Sequence, residues 1–182
     1  MKPCLALVLA VAFVCCPSPA SAQQKATVQN VPEIAYTSVP NSLKPPPGET
    51  LGEAVGIATN SKGHIFVYFR SANTRLWEFD KNGVFIKEIG KGYYGFEFAH
   101  SVRVDAQDNI WTVDEGTNMV TKFSPEGKVL MVLGRRDPPI GFAAASRTGP
   151  NPPDNNYIFC RPTDVGWDPQ GNIFVSDGYC NN

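Results

Sequence analysis

Short runs of alternating apolar and polar residues recur along most of this chain, separated by turns rich in Gly, Asn and Asp. Residues 56–67, 101–112 and 164–175 align with one another, and each contains an apolar run, a polar turn and a second apolar run. A period of two predicts strands, and these turn residues tolerate the positive φ of a tight hairpin. No segment shows a sustained helical period, so we predict an all-β protein.

A second hairpin follows in two of the repeats. Residues 76–89 align with residues 120–133, with turns around Gly83 and Gly127. One unit therefore has four short antiparallel strands, and the offset between Ile65 and Ile110 is 45 residues, the length of a propeller blade. We predict a β-propeller with blades at about 54–90, 99–134 and 162–182, the third limited to two strands.

The other segments are predicted to be irregular. Residues 135–157, rich in Pro, Gly and Asn, predict a long surface loop, and residues 23–53 an extended lead-in. Glu33 to Val39 is a candidate strand for closing the ring. Because two and a half blades would leave an unpaired edge and a wet interior, we expect residues 54–182 to be part of a larger propeller and inactive alone.

The first 22 residues predict a secretory signal peptide, with Lys2, an apolar run and a small-residue site ending at Ala22. The apolar run is too short to span a membrane. A lipoprotein anchor at Cys15 or Cys16 is the alternative, which Val14 disfavours because a small residue is expected there. We predict cleavage after Ala22 and a secreted or periplasmic protein.

Charge and cysteine content bear on the class of ligand and on disulfide formation. The net charge is −1, and no basic cluster is interleaved with aromatic residues, which argues against nucleic-acid binding. Export leaves two cysteines, Cys160 and Cys180, and a pair in an oxidising compartment predicts a disulfide. Such a bond would stabilise the fold by roughly 3 kcal/mol in the chain-entropy model. Two free buried thiols remain the alternative.

Several segments resemble one family. Residues 159–165 (Phe-Cys-Arg-Pro-Thr-Asp-Val) and 175–181 (Val-Ser-Asp-Gly-Tyr-Cys-Asn) are similar to the peptidyl-α-hydroxyglycine α-amidating lyases, a branch of six-bladed NHL-type propellers. Residues 65–70, 98–102 and 109–114 support the resemblance in the same order. It covers about half of the family's propeller. It implies cleavage of the C-terminal α-hydroxyglycine of a peptide or acyl substrate, giving an amide and glyoxylate.

The resemblance also implies metal sites. His100 matches the first of three histidines that hold Zn²⁺ in the family, and the other two are expected beyond Asn182. If the resemblance is set aside, the alternative for His100 is a hydrogen-bonded structural residue. The family also has a structural Ca²⁺ held partly by main-chain carbonyls, which fall on Ile57 and Val102 here. His64, in a turn, is predicted to be exposed and not a ligand.

Two further residues match the family's catalytic positions. Arg70 corresponds to an arginine that faces the substrate carboxylate, and a surface ion pair is the alternative. Tyr179 corresponds to the tyrosine proposed as the base, and a tyrosine packed at a blade edge is the alternative. The chain departs from the family at Ala99, usually proline, and at Phe69, often histidine, which leaves substrate preference open.

Two other functions compete with the lyase. A non-catalytic NHL-type scaffold that binds protein or glycan needs no metal, and a lactonase-type propeller relies on acidic metal ligands. Paired carboxylates of a glycosidase, a Gly-rich phosphate loop and a serine-nucleophile elbow are all missing from the sequence.

Overall fold

The computed structural model describes residues 34–136 and 159–179, and these form three antiparallel sheets. The first sheet contains β1 (Glu53–Thr59), β2 (Ile65–Arg70), β3 (Arg75–Phe79) and β4 (Phe85–Ile89). The second contains β5 (Ala99–Val104), β6 (Ile110–Asp114), β7 (Met119–Phe123) and β8 (Val129–Gly134). The third pairs β9 (Pro162–Trp167) with β10 (Ile173–Asp177).

The sheets are arranged as consecutive propeller blades. Each four-stranded sheet is a simple meander in chain order, and the first strands of successive sheets lie side by side, β1 against β5 and β5 against β9. Neighbouring first strands and outward meanders are the arrangement of blades around an axis. The predicted all-β propeller fold is therefore confirmed. We call the three sheets blade one, blade two and blade three.

Four of the hairpin turns share one side-chain hydrogen-bonding pattern. The first turn residue accepts hydrogen bonds from the backbone N–H groups two and four positions later; Asp105, for example, accepts from Gln107 and Asn109 at 3.0 and 2.9 Å. Such a side chain replaces a backbone partner and ends the strand. The fourth turn residue has positive φ, which explains why glycine or Asp108 occupies it. The same double bond is made by Asn60, Asp80 and Asp168.

Strand β2 of blade one is buried on both faces. In β2, Phe66 and Tyr68 pack into the cluster shared with blade two, while Val67 and Phe69 pack into a second cluster with Trp77. Alternate side chains of a strand point to opposite faces, so a blade between two neighbours needs apolar residues at consecutive positions. A third cluster joins blade two to blade three around Trp111.

Blades one and two point the same way. Ser61, in the β1–β2 turn, donates from its N–H and its hydroxyl to the Asp108 carboxylate in the β5–β6 turn, at 2.8 and 2.6 Å. These turns therefore lie at one end of the sheets. The opposite end, where β1, β5 and β9 begin and β2, β6 and β10 end, we call the site face.

The remaining segments contain no regular elements in the part that is described. The predicted signal peptide, most of the predicted loop and Cys180 lie outside the described residues. Residues 34–38 belong to a different unit from the described residues that follow them. Residues 34–39 contain no strand, and Ile34 and Tyr36 are exposed there. A strand requires a pairing partner, and the ring-closing strand stays a prediction for the complete propeller.

No helix occurs in the described segments, and accordingly none there is long and apolar enough to cross a membrane. The described part of the lead-in contacts blade one: Leu43 and Leu51 pack against its second cluster, and Glu49 accepts from Arg75 Nη1 at 2.7 Å. Lys44 bridges Val84 in parallel, and its N–H donates to the Gly83 carbonyl at 2.7 Å.

Candidate functional site

Arg70 is the last residue of β2 and reaches the site face. Its Nη2 donates to Glu53 Oε1 at 2.9 Å, and its guanidinium carbon lies 4.0 Å from the centroid of the Phe98 ring. Its Nε is buried without a hydrogen-bond partner among the described residues. Stacking on an aromatic ring holds the planar group in one orientation. The Glu53 side chain is 68% exposed, so this ion pair is open to solvent and is weak.

His100 is the second residue of β5 and is half-buried. Its ring faces the ring of Tyr179, with centroids 6.5 Å apart and planes at 66°. Phe98, on which Arg70 is stacked, precedes it by two positions. Phe98 and His100, at the beginning of β5, therefore contact Arg70 and Tyr179 respectively, so all three candidate residues lie in one region of the site face.

Tyr179 follows β10 and is 53% exposed. Its backbone N–H donates to the Cys160 carbonyl in a long bond of 3.4 Å, and the preceding Gly178 donates to Arg161 at 3.3 Å. The segment after β10 is thereby attached to the segment before β9. Its phenol ring remains accessible from solvent beside His100. Because Cys180 is outside the described residues, the Cys160–Cys180 disulfide stays a prediction.

Asp114 organises the segment that carries Phe98 and His100. Its buried carboxylate accepts from the Phe98 N–H at 3.0 Å, the Glu97 N–H at 2.9 Å, the Thr117 N–H at 2.8 Å and the Tyr68 hydroxyl at 2.9 Å. Burial and the neighbouring Asp114 raise the pKa of Tyr68 well above its ordinary value, so its hydroxyl stays a donor. Burying a charged carboxylate is costly unless several hydrogen-bond donors replace the lost water, as they do at Asp114.

The same device recurs in blade three, where Asp177 accepts from the Cys160 N–H at 2.7 Å. Asp114 pairs with the first residue of β5, Ala99, and Asp177 with the first residue of β9, Pro162. The aligned position of blade one is Phe69, opposite Ala54. This role was not predicted from the sequence. The signal for it was an aspartate at the last position of the second strand in two of the repeats.

Ile57 and Val102, whose carbonyls were assigned to Ca²⁺ by resemblance, lie on the adjacent strands β1 and β5. The strands approach closely there, because a Cβ atom on Gly56 would meet the Val102 backbone nitrogen at 2.6 Å. Ile57 is exposed and Val102 is buried. The structure thus places the two residues on neighbouring first strands.

His100 is the candidate zinc ligand among the described residues. Within residues 34–136 and 159–179, no three His, Cys, Asp or Glu side chains converge as a metal site. One imidazole suits Zn²⁺, but a catalytic zinc site takes three protein ligands. The described part of the chain therefore supplies one candidate ligand.

The prediction that His64 is exposed is wrong. Its Nδ1 lies 2.7 Å from Glu78 Oε1, and its side chain is only 28% exposed. Glu78 is buried on β3, where a carboxylate requires a polar partner, and the β1–β2 turn brings His64 to it. His64 is a structural partner of Glu78 on the side of the turns, away from the site face.

Comparisons with known proteins identify similar sequences. No family model matches the chain. It is 28% identical over 159 residues to a probable peptidyl-alpha-hydroxyglycine alpha-amidating lyase of Caenorhabditis elegans, covering 75% of this chain and 41% of that protein. It is 28% identical over 185 residues to peptidyl-alpha-hydroxyglycine alpha-amidating lyase 1 of Drosophila melanogaster, covering 86% and 32%.

Two further proteins are similar to the chain. Peptidyl-glycine alpha-amidating monooxygenase of Mus musculus is 29% identical over 160 residues, covering 72% of this chain and 15% of that protein. A solved streptogramin B lyase has a TM-score of 0.49 at 18% identity, covering 71% of this chain and 36% of that one. The chain thus spans less than half the length of these relatives. The resemblance inferred from its motifs is confirmed: over most of its length, the chain is similar in sequence to the peptidyl-α-hydroxyglycine α-amidating lyases.

Proposed function

We propose that the protein is a secreted, zinc-dependent lyase-like propeller that acts on peptides or acyl groups ending in α-hydroxyglycine. The observation that carries the proposal is the approach of His100 and Tyr179 at the site face, beside the segment on which Arg70 is stacked. The homologues support the reaction class, since their names describe peptide amidation.

The reaction can be written with all atoms balanced. The hydroxyl O–H of the α-hydroxyglycine loses its proton, its C–O bond becomes the aldehyde of glyoxylate, and the N–Cα bond breaks. The nitrogen takes up a proton and leaves as a primary amide. The site must therefore hold the carboxylate, remove one proton and return one.

Arg70 would bind the substrate carboxylate. A guanidinium offers paired donors that match a carboxylate, and stacking on Phe98 orients the group before binding. Its present partner, Glu53, is exposed, so a substrate carboxylate can displace it at a cost of about 1 kcal/mol or less.

Tyr179 would take the hydroxyl proton. A phenol has a pKa of about 10 in water, so it needs nearby positive charge to act as a base. Its half-exposed ring lies where a substrate can reach it, next to His100. Arg70, at the same face, would supply part of this positive charge through its guanidinium, which is always protonated.

His100 would be the zinc ligand that this part of the chain contributes, in its neutral form. Zinc, when bound, would polarise the substrate hydroxyl and lower the pKa of its proton. A structural Ca²⁺ held by the carbonyls of Ile57 and Val102 would join the first strands of blades one and two. Its role would be to keep Arg70 and His100 at a constant separation.

The test is release of glyoxylate from α-hydroxyhippurate by the zinc-loaded full-length protein, with its complete propeller, and every activity measurement uses this full-length protein. We expect turnover that disappears with a chelator and returns with Zn²⁺. Peptide ending in unmodified glycine is the matched substrate control and should give no product. Absence of glyoxylate from the zinc-loaded full-length wild-type protein would reject the lyase and leave the scaffold and the lactonase-type propeller.

A further inference from the structure

Two residues outside the proposed catalytic set have left-handed backbones and contact each other. Asn118, in the β6–β7 turn, has φ of 58°, and Arg161, immediately before β9, has φ of 62°. The Arg161 N–H donates to Asn118 Oδ1 at 2.8 Å. A left-handed conformation is unremarkable for asparagine, but for arginine it costs about 1–2 kcal/mol and persists only where the surroundings impose it.

The strained residue belongs to the segment that holds Tyr179. The Arg161 carbonyl accepts from the Gly178 N–H at 3.3 Å, and the neighbouring Cys160 carbonyl accepts from the Tyr179 N–H. Cys160 in turn donates to Asp177 at 2.7 Å. The backbone conformation at Arg161 therefore determines where the peptide group of Tyr179 lies.

Glu115 connects this segment to the one that carries His100. Its Oε1 lies 3.5 Å from Arg161 Nη1, and its side chain is 10% exposed against 25% for Arg161. The Glu115 N–H donates to the Phe98 carbonyl at 2.9 Å, two residues before His100. The β6–β7 turn thus contacts both the segment before His100, at Phe98, and the segment that holds Tyr179, at Arg161. Partial burial strengthens the attraction between the charges.

We propose that Glu115, Asn118 and Arg161 form a positioning brace that sets the distance between the Tyr179 phenol and the His100 imidazole. The brace holds Arg161 in its left-handed conformation, and through it the Tyr179 backbone, against the end of blade two. Its catalytic meaning rests on the proposed function of Tyr179. The brace itself is a structural relationship and can be measured without turnover.

The experiment measures two properties of the same variants, the hydrogen exchange of the Tyr179 amide and the kinetics of glyoxylate release. In Arg161→Ala and Glu115→Gln we expect exchange at Tyr179 to speed up about tenfold, as its hydrogen bond opens more often. We expect kcat to fall about tenfold with KM within twofold, because a base displaced by a fraction of an ångström loses rate and not affinity. Arg161→Gly should show the same losses while being at least as stable as Arg161→Ala, because glycine relieves the strain.

Arg103→Ala is the matched control. Arg103 also joins blades two and three, donating from Nε to Asp164 at 2.9 Å, but it lies within β5 away from the brace. We expect it to lower stability and to leave Tyr179 exchange and kcat within twofold of wild type. Equal effects of Arg103→Ala and Arg161→Ala on Tyr179, or no effect of Arg161→Ala on either measurement, would overturn the proposal.

The outcomes separate the two proposals. If wild-type protein releases no glyoxylate but Tyr179 exchange still responds to Arg161 and Glu115, the brace exists and the catalytic function is wrong. If wild-type protein is active and neither measurement responds, the function stands and the brace is wrong.

Discussion

The imidazole of His100 and the phenol of Tyr179 lie with ring centroids 6.5 Å apart, although they come from different blades. The contact spans the junction between blade two and blade three at the site face. It depends on the side-by-side packing of β5 and β9, which places the start of one blade next to the end of the other's second strand.

Replacing Tyr179 tests the proposed base directly. Tyr179→Phe removes only the hydroxyl, and we expect glyoxylate release to fall by roughly 10²–10⁴-fold, the usual contribution of a positioned acid or base. The ring contact with His100 is kept, so the unfolding midpoint should not change. Tyr36→Phe, at an exposed tyrosine in the lead-in, is the control. Full activity of Tyr179→Phe would assign the proton transfer to another group.

Replacing Arg70 tests carboxylate binding. Arg70→Ala should raise KM by about 10- to 100-fold, because a hydrogen bond to a charged group contributes about 1.5–3 kcal/mol. Arg70→Lys should recover only part of this, since an ammonium has no paired fork and stacks poorly. Glu53→Gln frees Arg70 and should leave KM unchanged or lower it. An unchanged KM in Arg70→Ala would show that the arginine serves only its ion pair with Glu53.

The buried Asp114 should be essential for stability. Asp114→Asn turns one acceptor oxygen into a donor that faces N–H groups, and we expect a loss of about 3 kcal/mol in the free energy of unfolding. Denaturant unfolding measures it. Asp80→Asn, in an exposed turn that keeps its hydrogen-bonding oxygen, should cost about 0.5 kcal/mol or less. Equal losses in the two variants would mean that the Asp114 network contributes little.

Asp105 should make stability depend on acid pH. Burial acts to raise its pKa, but hydrogen bonds from Trp111, Asn109 and Lys122 outweigh burial and lower the pKa to about 2. A depressed folded-state pKa gives stability that is present above the unfolded pKa of about 4 and lost as pH falls through about 2. Because the side chain is only 9% exposed, this amounts to about 2 kcal/mol.

Urea unfolding of wild type and Asp105→Asn at pH 5 and at pH 2 measures the effect. The difference in free energy of unfolding between the two proteins should shrink by about 2 kcal/mol at the lower pH. A difference that is constant with pH would show that the Asp105 carboxylate titrates normally in the folded protein.

The predicted Cys160–Cys180 bond has its own test. Peptide mapping without reductant should recover the two cysteines in one linked peptide. Reduction, or Cys160→Ser, should lower the free energy of unfolding by roughly 3 kcal/mol. Recovery of two alkylatable thiols from the secreted protein would establish the free-thiol alternative.

The strands, the turns and the division into blades were readable from the sequence. A hairpin is decided locally, by alternation of apolar residues and by turn residues such as Asp105 and Gly83 that end one strand and begin the next. The motifs around Cys160 and Tyr179 were equally local, which is why they were enough to show the resemblance to the amidating lyases.

The position of His64 and the roles of Asp114, Glu115 and Arg161 were decided only by tertiary structure. Each depends on a partner far along the chain: Glu78 for His64, Tyr68 for Asp114, and Asn118 for Arg161. A carboxylate in a predicted strand gives the same local sequence pattern whether its oxygens face solvent or, like those of Asp114, accept from five protein donors. Local preference determined the strands and turns. The packing of one blade against the next determined which polar groups are buried and which side chains meet at the site face. The reason is that burial and charge pairing arise between segments distant in sequence.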